Sequence, residues 1–85
     1  MTTLERLQEM LARDFDLDRA RLLPEATLEG LEIDSLRMIE ILFCVEEELG
    51  ISVPADPGEL RARVKTLGDL AQYLDTLSPQ PGGEK

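Results

Sequence analysis

Residues 34–54, which read DSLRMIEILFCVEEELGISVP, contain the strongest helix signal of the chain. Asp34 is a good N-cap, because its carboxylate can accept hydrogen bonds from the free N–H groups of a first helical turn. Gly50 is placed to end the helix in the left-handed conformation that glycine tolerates. The pattern between these two residues predicts a helix over residues 35–49.

The apolar residues of this helix are expected to form a broad face towards the core. Leu36 is expected to anchor the first turn inward, beside a Ser35 that points outward. Met38 and Ile41 widen the apolar stripe beyond what one core face needs, so core packing and partly exposed partner docking both remain open for them. The predicted core face consists of Leu36, Ile39, Leu42, Phe43 or Val45, and Leu49.

Three more helices are predicted around this one. A first helix covers residues 3–14 with Thr3 as its cap, and a short helix covers residues 57–63. Thr66 caps a last helix, with Asp69 three residues later as a variant of the capping box. The first helix has its apolar residues at Leu4, Leu7, Leu11 and Phe15, and the last at Leu67, Leu70, Ala71, Leu74 and Leu77.

A long connection, residues 15–33, separates the first two helices. A loop of this length is uncommon in a small domain unless its own apolar residues hold it down. The residues expected to do so are Leu22, Leu23, Leu28, Leu31 and Ile33. The predicted fold is therefore all-α, a four-helix bundle with a long first loop and a short third helix. Residues 1–77 are expected to form the domain, and 78–85 a disordered tail.

Composition limits the possible partners. The 85 residues include 18 acids and nine bases, a net charge of −9. Such a surface repels nucleic acids and anionic membranes, so partners with basic patches are expected. There is no signal-peptide pattern in MTTLERLQEM and no apolar run long enough to span a membrane. We expect a monomeric, cytoplasmic protein.

Residue types also argue against catalysis. The chain has no histidine, and its single cysteine, Cys44, lies in an apolar run and is expected to pack in the core. Asp14, Asp16, Asp18 and Glu25 match positions 1, 3, 5 and 12 of an EF-hand calcium loop. Arg19 stands where that loop needs glycine, which disfavours a calcium site.

The central residues resemble those of the acyl carrier protein family. Residues 31–36, LEIDSL, are followed by Glu40 and by residues 45–54, VEEELGISVP. Asp-Ser-Leu is the modification motif of that family, in which a phosphopantetheinyl transferase moves 4′-phosphopantetheine from coenzyme A to the serine. The arm's thiol then carries acyl groups as thioesters between enzymes with basic docking patches. The resemblance extends over residues 3–77.

The resemblance implies a role for each matching residue. Ser35 corresponds to the attachment residue, Asp34 to the acid that helps coordinate the transferase magnesium, and Leu36 to the motif hydrophobe. Partner binding is expected around these positions. The residues concerned are Glu32, Arg37, Met38, Glu40, Ile41, Glu46, Glu47 and Glu48.

Two departures from the family pattern indicate a carrier for a specialised pathway. The family usually has glycine where this chain has Glu32, and often an acid where it has Arg37. Cargo is left open between acyl groups of fatty-acid or polyketide synthesis and the amino acids of aminoacyl or peptidyl carriers. Outside this class, an unmodified acidic interaction module remains the alternative.

Overall fold

The computed structural model describes residues 2–54 and 56–77, so the predicted tail, residues 78–85, lies outside the described part. Four α-helices follow one another: α1 (Thr3–Asp14), α2 (Ser35–Leu49), α3 (Pro57–Arg63) and α4 (Leu67–Thr76). A short 3-10 turn, Arg19–Arg21, lies in the long loop. The regular elements of the described residues are thus all helical, and the predicted all-α bundle with a long first loop and a short third helix is confirmed.

Local capping signals explain where the helices begin. The hydroxyl of Thr66 accepts a hydrogen bond from the Asp69 N–H at 3.0 Å, and the Asp69 carboxylate accepts one from the Thr66 N–H. In α1 the cap is Thr2, because its hydroxyl accepts from the Glu5 N–H at 3.1 Å while Glu5 accepts from the Thr2 N–H. The prediction that Thr3 caps α1 is therefore wrong by one residue.

The long loop is part of the core. Its buried side chains are Leu22, Leu28, Leu31 and Ile33, as predicted, whereas Leu23 is 47% exposed and was wrongly included. Backbone bonds tie the loop to the segment before α4, since the Leu28 N–H donates to the Lys65 carbonyl and the Leu67 N–H to the Ala26 carbonyl, both at 2.9 Å. These contacts hold the chain that leads into α2.

The orientation of α2 differs from the prediction. Leu36 and Ile39, predicted to face the core, are 68% and 38% exposed. Of the two alternatives Phe43 and Val45, Phe43 is 66% exposed and Val45 is the one that is buried. The buried residues are Met38, Ile41, Leu42 and Val45. The helix is apolar around most of its circumference, so two sets of residues satisfy the i, i+3, i+7 spacing and periodicity alone selects neither. Packing against the other helices selects the face that begins at Met38.

Candidate functional site

The hydroxyl of Ser35 is exposed at the first residue of α2. Within residues 2–54 and 56–77 it makes no side-chain hydrogen bond, so no internal contact competes with a reaction there. The first turn of α3 lies beside it, because a Cβ atom added to Gly58 would be 4.0 Å from the Ser35 Oγ. Ser35 is thus presented to solvent between two helix starts.

Asp34 and two buried neighbours fix the position of Ser35. The Asp34 Oδ1 accepts a hydrogen bond from the Arg37 N–H at 2.8 Å, which confirms Asp34 as the N-cap. Ile33 and Met38 are almost completely buried on either side of the junction. They provide the inward anchor that was wrongly assigned to Leu36. Asp34 is exposed, and its second carboxylate oxygen makes no hydrogen bond within the described residues.

Glu32 adopts an unusual backbone conformation just before the site. Its φ of 62° is in the left-handed region that side chains other than glycine rarely adopt. The turn is held by the Glu32 N–H donating to the Glu29 carbonyl and the Ile33 N–H donating to the Leu28 carbonyl, both at 2.9 Å. The position where the acyl carrier family usually has glycine therefore retains the backbone shape that glycine would favour.

Arg37 is a cation held in place beside the site. Its guanidinium carbon lies 5.7 Å from the centroid of the Phe15 ring, and its Nη1 lies 3.7 Å from the Glu40 Oε1. Arg37 thus pairs with Glu40, whereas Asp34 contacts only the backbone of Arg37. Since residues two apart on a helix do not face each other, Arg37 is directed away from Ser35.

The three consecutive acids near the end of α2 have different environments. The Glu46 carboxylate accepts from the Val53 N–H at 2.7 Å and shapes the exit of the helix. Glu48 pairs with Arg13 at 2.7 Å and so connects α2 to α1. Glu47 is exposed and makes no ion pair within the described part of the chain. Of these predicted partner-binding acids, Glu47 is the one most available to a partner.

An exposed apolar stripe extends from the site along α2. It consists of Leu36, Ile39 and Phe43, and we call it the α2 stripe. Met38 and Ile41, which were named among the partner-binding residues while core packing was left open for them, are completely buried, so core packing is the alternative that holds. The spacing i, i+3, i+7, starting directly after Ser35, was the signal in the sequence that could have identified the stripe.

Cys44 is half-buried and packs against the core. Burial raises the pKa of its thiol, and the acids Asp14, Glu47 and Glu48 raise it further. A raised pKa lowers the thiolate fraction at neutral pH, so Cys44 is a poor nucleophile. This placement agrees with the packing role expected for it.

The carboxylates of the EF-hand-like segment have other contacts. Asp14 pairs with Arg13 at 2.9 Å, and Asp18 accepts from the Ala20 N–H at 3.0 Å to cap the 3-10 turn. The Arg13 side chain is the main cause of the lowered pKa of Asp14. In the described ranges, no three acidic, cysteine or histidine residues are grouped to hold a metal ion. None of the helices in those ranges is long and apolar enough to cross a bilayer.

The geometry is that of a small helical bundle that displays one free hydroxyl at a capped helix start, a form suited to carrying an attached group. The family model for the phosphopantetheine attachment site matches residues 5–74. The chain therefore belongs to this family: it is a carrier protein with a phosphopantetheine attachment domain, and the predicted cofactor is confirmed. Two similar proteins are the acyl carrier proteins of Helicobacter pylori strains G27 and HPAG1. Each is 29% identical over 76 residues, 88% of this chain and 94% of the relative.

The residues at the start of α2 fit this cofactor. A phosphodiester on Ser35 needs an exposed oxygen and free space around it, and the missing side chain at Gly58 leaves that space on the α3 side. The match applies to the domain as a whole, so the individual site residues remain predictions.

Proposed function

We propose that this chain is an acyl carrier protein that carries its cargo on a 4′-phosphopantetheine arm attached to Ser35, and that it is not itself an enzyme. The single observation that carries the proposal is the exposed Ser35 hydroxyl, which has no hydrogen-bond partner among the described side chains and follows the Asp34 cap. An unmodified interaction module would need neither feature, and membership in the attachment-site family also argues against that alternative.

The attachment step uses the Ser35 oxygen as the nucleophile. Ser35 Oγ forms a new bond to the phosphorus that carries pantetheine in coenzyme A, the bond from that phosphorus to the adenosine bisphosphate breaks, and the serine proton passes to a base of the transferase. By its correspondence to the family's motif acid, Asp34 would help to bind the magnesium ion of the transferase. The arm then supplies a terminal thiol that forms thioesters.

The start of α2 tolerates the new negative charge. The free N–H groups and the dipole of a helix favour an anion at its N-terminus, an effect worth about 0.3–1 kcal/mol at an exposed site. This term is too small to select a partner. Selection is therefore assigned to the surface around the site.

The α2 stripe and the acids around it form the proposed docking surface. Eight acids and one base occur between residues 25 and 49, the same segment that contains the three exposed apolar side chains of the stripe. A partner with an apolar pocket and a basic rim complements this surface. Rim charges accelerate encounter more than they increase affinity, which suits a carrier that must leave each enzyme. The same net charge disfavours pairing of the stripe with a second copy, so we propose a monomer.

A transferase assay tests the proposal. The protein, the Ser35→Ala variant and the Ser52→Ala control are each incubated with coenzyme A and a phosphopantetheinyl transferase, and intact masses are measured. We expect one added arm on the parent and on Ser52→Ala, and none on Ser35→Ala. An arm on Ser35→Ala, or no arm on any of the three proteins with several transferases, contradicts the proposal.

Cargo is tested after the arm is attached. We propose acyl groups of fatty-acid, polyketide or related synthesis, in line with the acyl carrier proteins that the chain resembles. Acyl-loading and amino-acid-activating ligases are offered to the same holo protein. A thioester formed only with amino acids would place the chain among aminoacyl carriers instead.

A further inference from the structure

Arg61 on α3 is a cation in the acidic surroundings of Ser35. Its Nε donates a hydrogen bond to the carbonyl of Ile33, two residues before Ser35. It lines a depression of about 260 Å³ together with Ile33, Asp34, Glu29 and Glu32. Apart from Arg61, the charged side chains around this depression are all acids.

The guanidinium of Arg61 is held by one hydrogen bond, and it makes no ion pair within the described residues. The bond from Nε to a backbone carbonyl sets its plane, and its Nη groups have no carboxylate within ion-pair distance in residues 2–54 and 56–77. A planar guanidinium held in this way is suited to binding phosphate oxygens, which it contacts with directed N–H groups.

Gly58 provides the space that such an arrangement needs. It lies one turn before Arg61 on the same side of α3, and an added Cβ atom there would lie 3.2 Å from the Asp56 Oδ2 and 4.0 Å from the Ser35 Oγ. Glycine lowers helix stability relative to alanine, so its presence in this short helix calls for a reason. Clearance beside the modified oxygen is such a reason.

Attachment of the arm to Ser35 adds negative charge to a part of the surface that is already acidic. An arm on Ser35 adds a phosphodiester anion next to Asp34 and on the side of α3 where the Asp56 Oδ2 lies 3.2 Å from the position of an added Gly58 Cβ atom, and like charges at short distance repel each other. A neighbouring cation offsets this repulsion. We propose that Arg61 binds the phosphodiester of the arm in the space left by Gly58, an inference that rests on Ser35 being the attachment residue.

A thermodynamic cycle tests the inference. Apo and holo forms of the parent, of Arg61→Gln and of Arg63→Gln are prepared, with complete modification verified by intact mass, and their melting temperatures are measured at low salt. Arg63 is a matched control because it lies on α3 but lines a different depression with Gln72 and Tyr73. Comparing the two forms of each variant removes the effect that the substitution has on the apo fold.

In the parent and in Arg63→Gln, we expect the holo form to melt on the order of 3 °C above the apo form. In Arg61→Gln we expect this gain to disappear or change sign, and we expect the ³¹P signal of the arm to shift. Gly58→Leu should also remove the gain, since leucine fills the space while Arg61 is retained. An equal gain in the parent and in Arg61→Gln overturns the inference, whereas a parent that accepts no arm overturns the proposed attachment instead.

Discussion

Replacing Glu32 with glycine should stabilise the protein, because Glu32 holds a left-handed backbone with a φ of 62°. A residue with a Cβ atom loses about 1–2 kcal/mol in this conformation. Glycine avoids that strain, but its greater freedom in the unfolded chain costs about 0.5–1 kcal/mol. The net gain in the free energy of unfolding, taken from the midpoints of these two ranges, should be about 0.8 kcal/mol. For a domain of this size, the melting temperature should rise by about 2–8 °C.

Two controls separate backbone strain from charge. Glu32→Gln retains the strain and removes the negative charge, so it should show none of the strain-related gain, and any change in its stability measures the effect of the charge. Gly50→Ala provides the reverse experiment, because Gly50 has a φ of 67° and an added Cβ atom meets nothing within 4 Å. Its expected loss of about 1 kcal/mol therefore measures left-handed strain without a clash.

The assay is urea unfolding followed by circular dichroism, with the slope of the transition compared between variants to verify that the unfolding reaction is unchanged. The reasoning is refuted if Gly50→Ala loses stability as expected while Glu32→Gly gains none. That result would mean that Glu32 makes a compensating interaction in the folded state.

Two further predictions concern the loop and the docking surface. Gln8 is buried, and its Nε2 donates a hydrogen bond to the Leu22 carbonyl. Gln8→Ala leaves that carbonyl unpaired and should lower the free energy of unfolding in urea by about 1–3 kcal/mol. Gln72→Ala, on the exposed side of α4, should change the free energy of unfolding little. Phe43→Ser should leave the melting temperature nearly unchanged, since Phe43 is 66% exposed, but it should lower kcat/KM for the modifying or loading enzyme. Leu23→Ser, which changes an exposed residue outside the α2 stripe, should leave kcat/KM unchanged. Equal kcat/KM values for the two variants would exclude Phe43 from docking.

The helix starts and ends that the sequence predicted correctly depend on residues close together in the chain. Asp34 caps α2 through an N–H three residues away, and Gly50 ends it through its own backbone angle, so neighbouring residues contain the whole effect. The same holds for Thr66 with Asp69. Because Ser35 is placed by the Asp34 cap, its exposed position could be predicted too.

The parts that were predicted wrongly or missed depend on contacts between distant residues. Met38 rather than Leu36 faces the core because the other helices pack on that side of α2, which has apolar residues on both sides. Glu48 pairs with Arg13, 35 positions earlier in the chain, so its sequence neighbours give no sign of the contact. Arg61 reaches the residues before Ser35 only because α3 folds back beside α2.

Mapping the arm onto the sequence tests the central claim most directly. Trypsin should release residues 22–37, in which Ser35 is the only serine, and residues 38–61, which contain Ser52. After treatment with transferase and coenzyme A, the added mass should appear on the first peptide, and fragmentation should place it on Ser35 and not on Thr27. An arm on the second peptide, or on any other residue, would contradict the account.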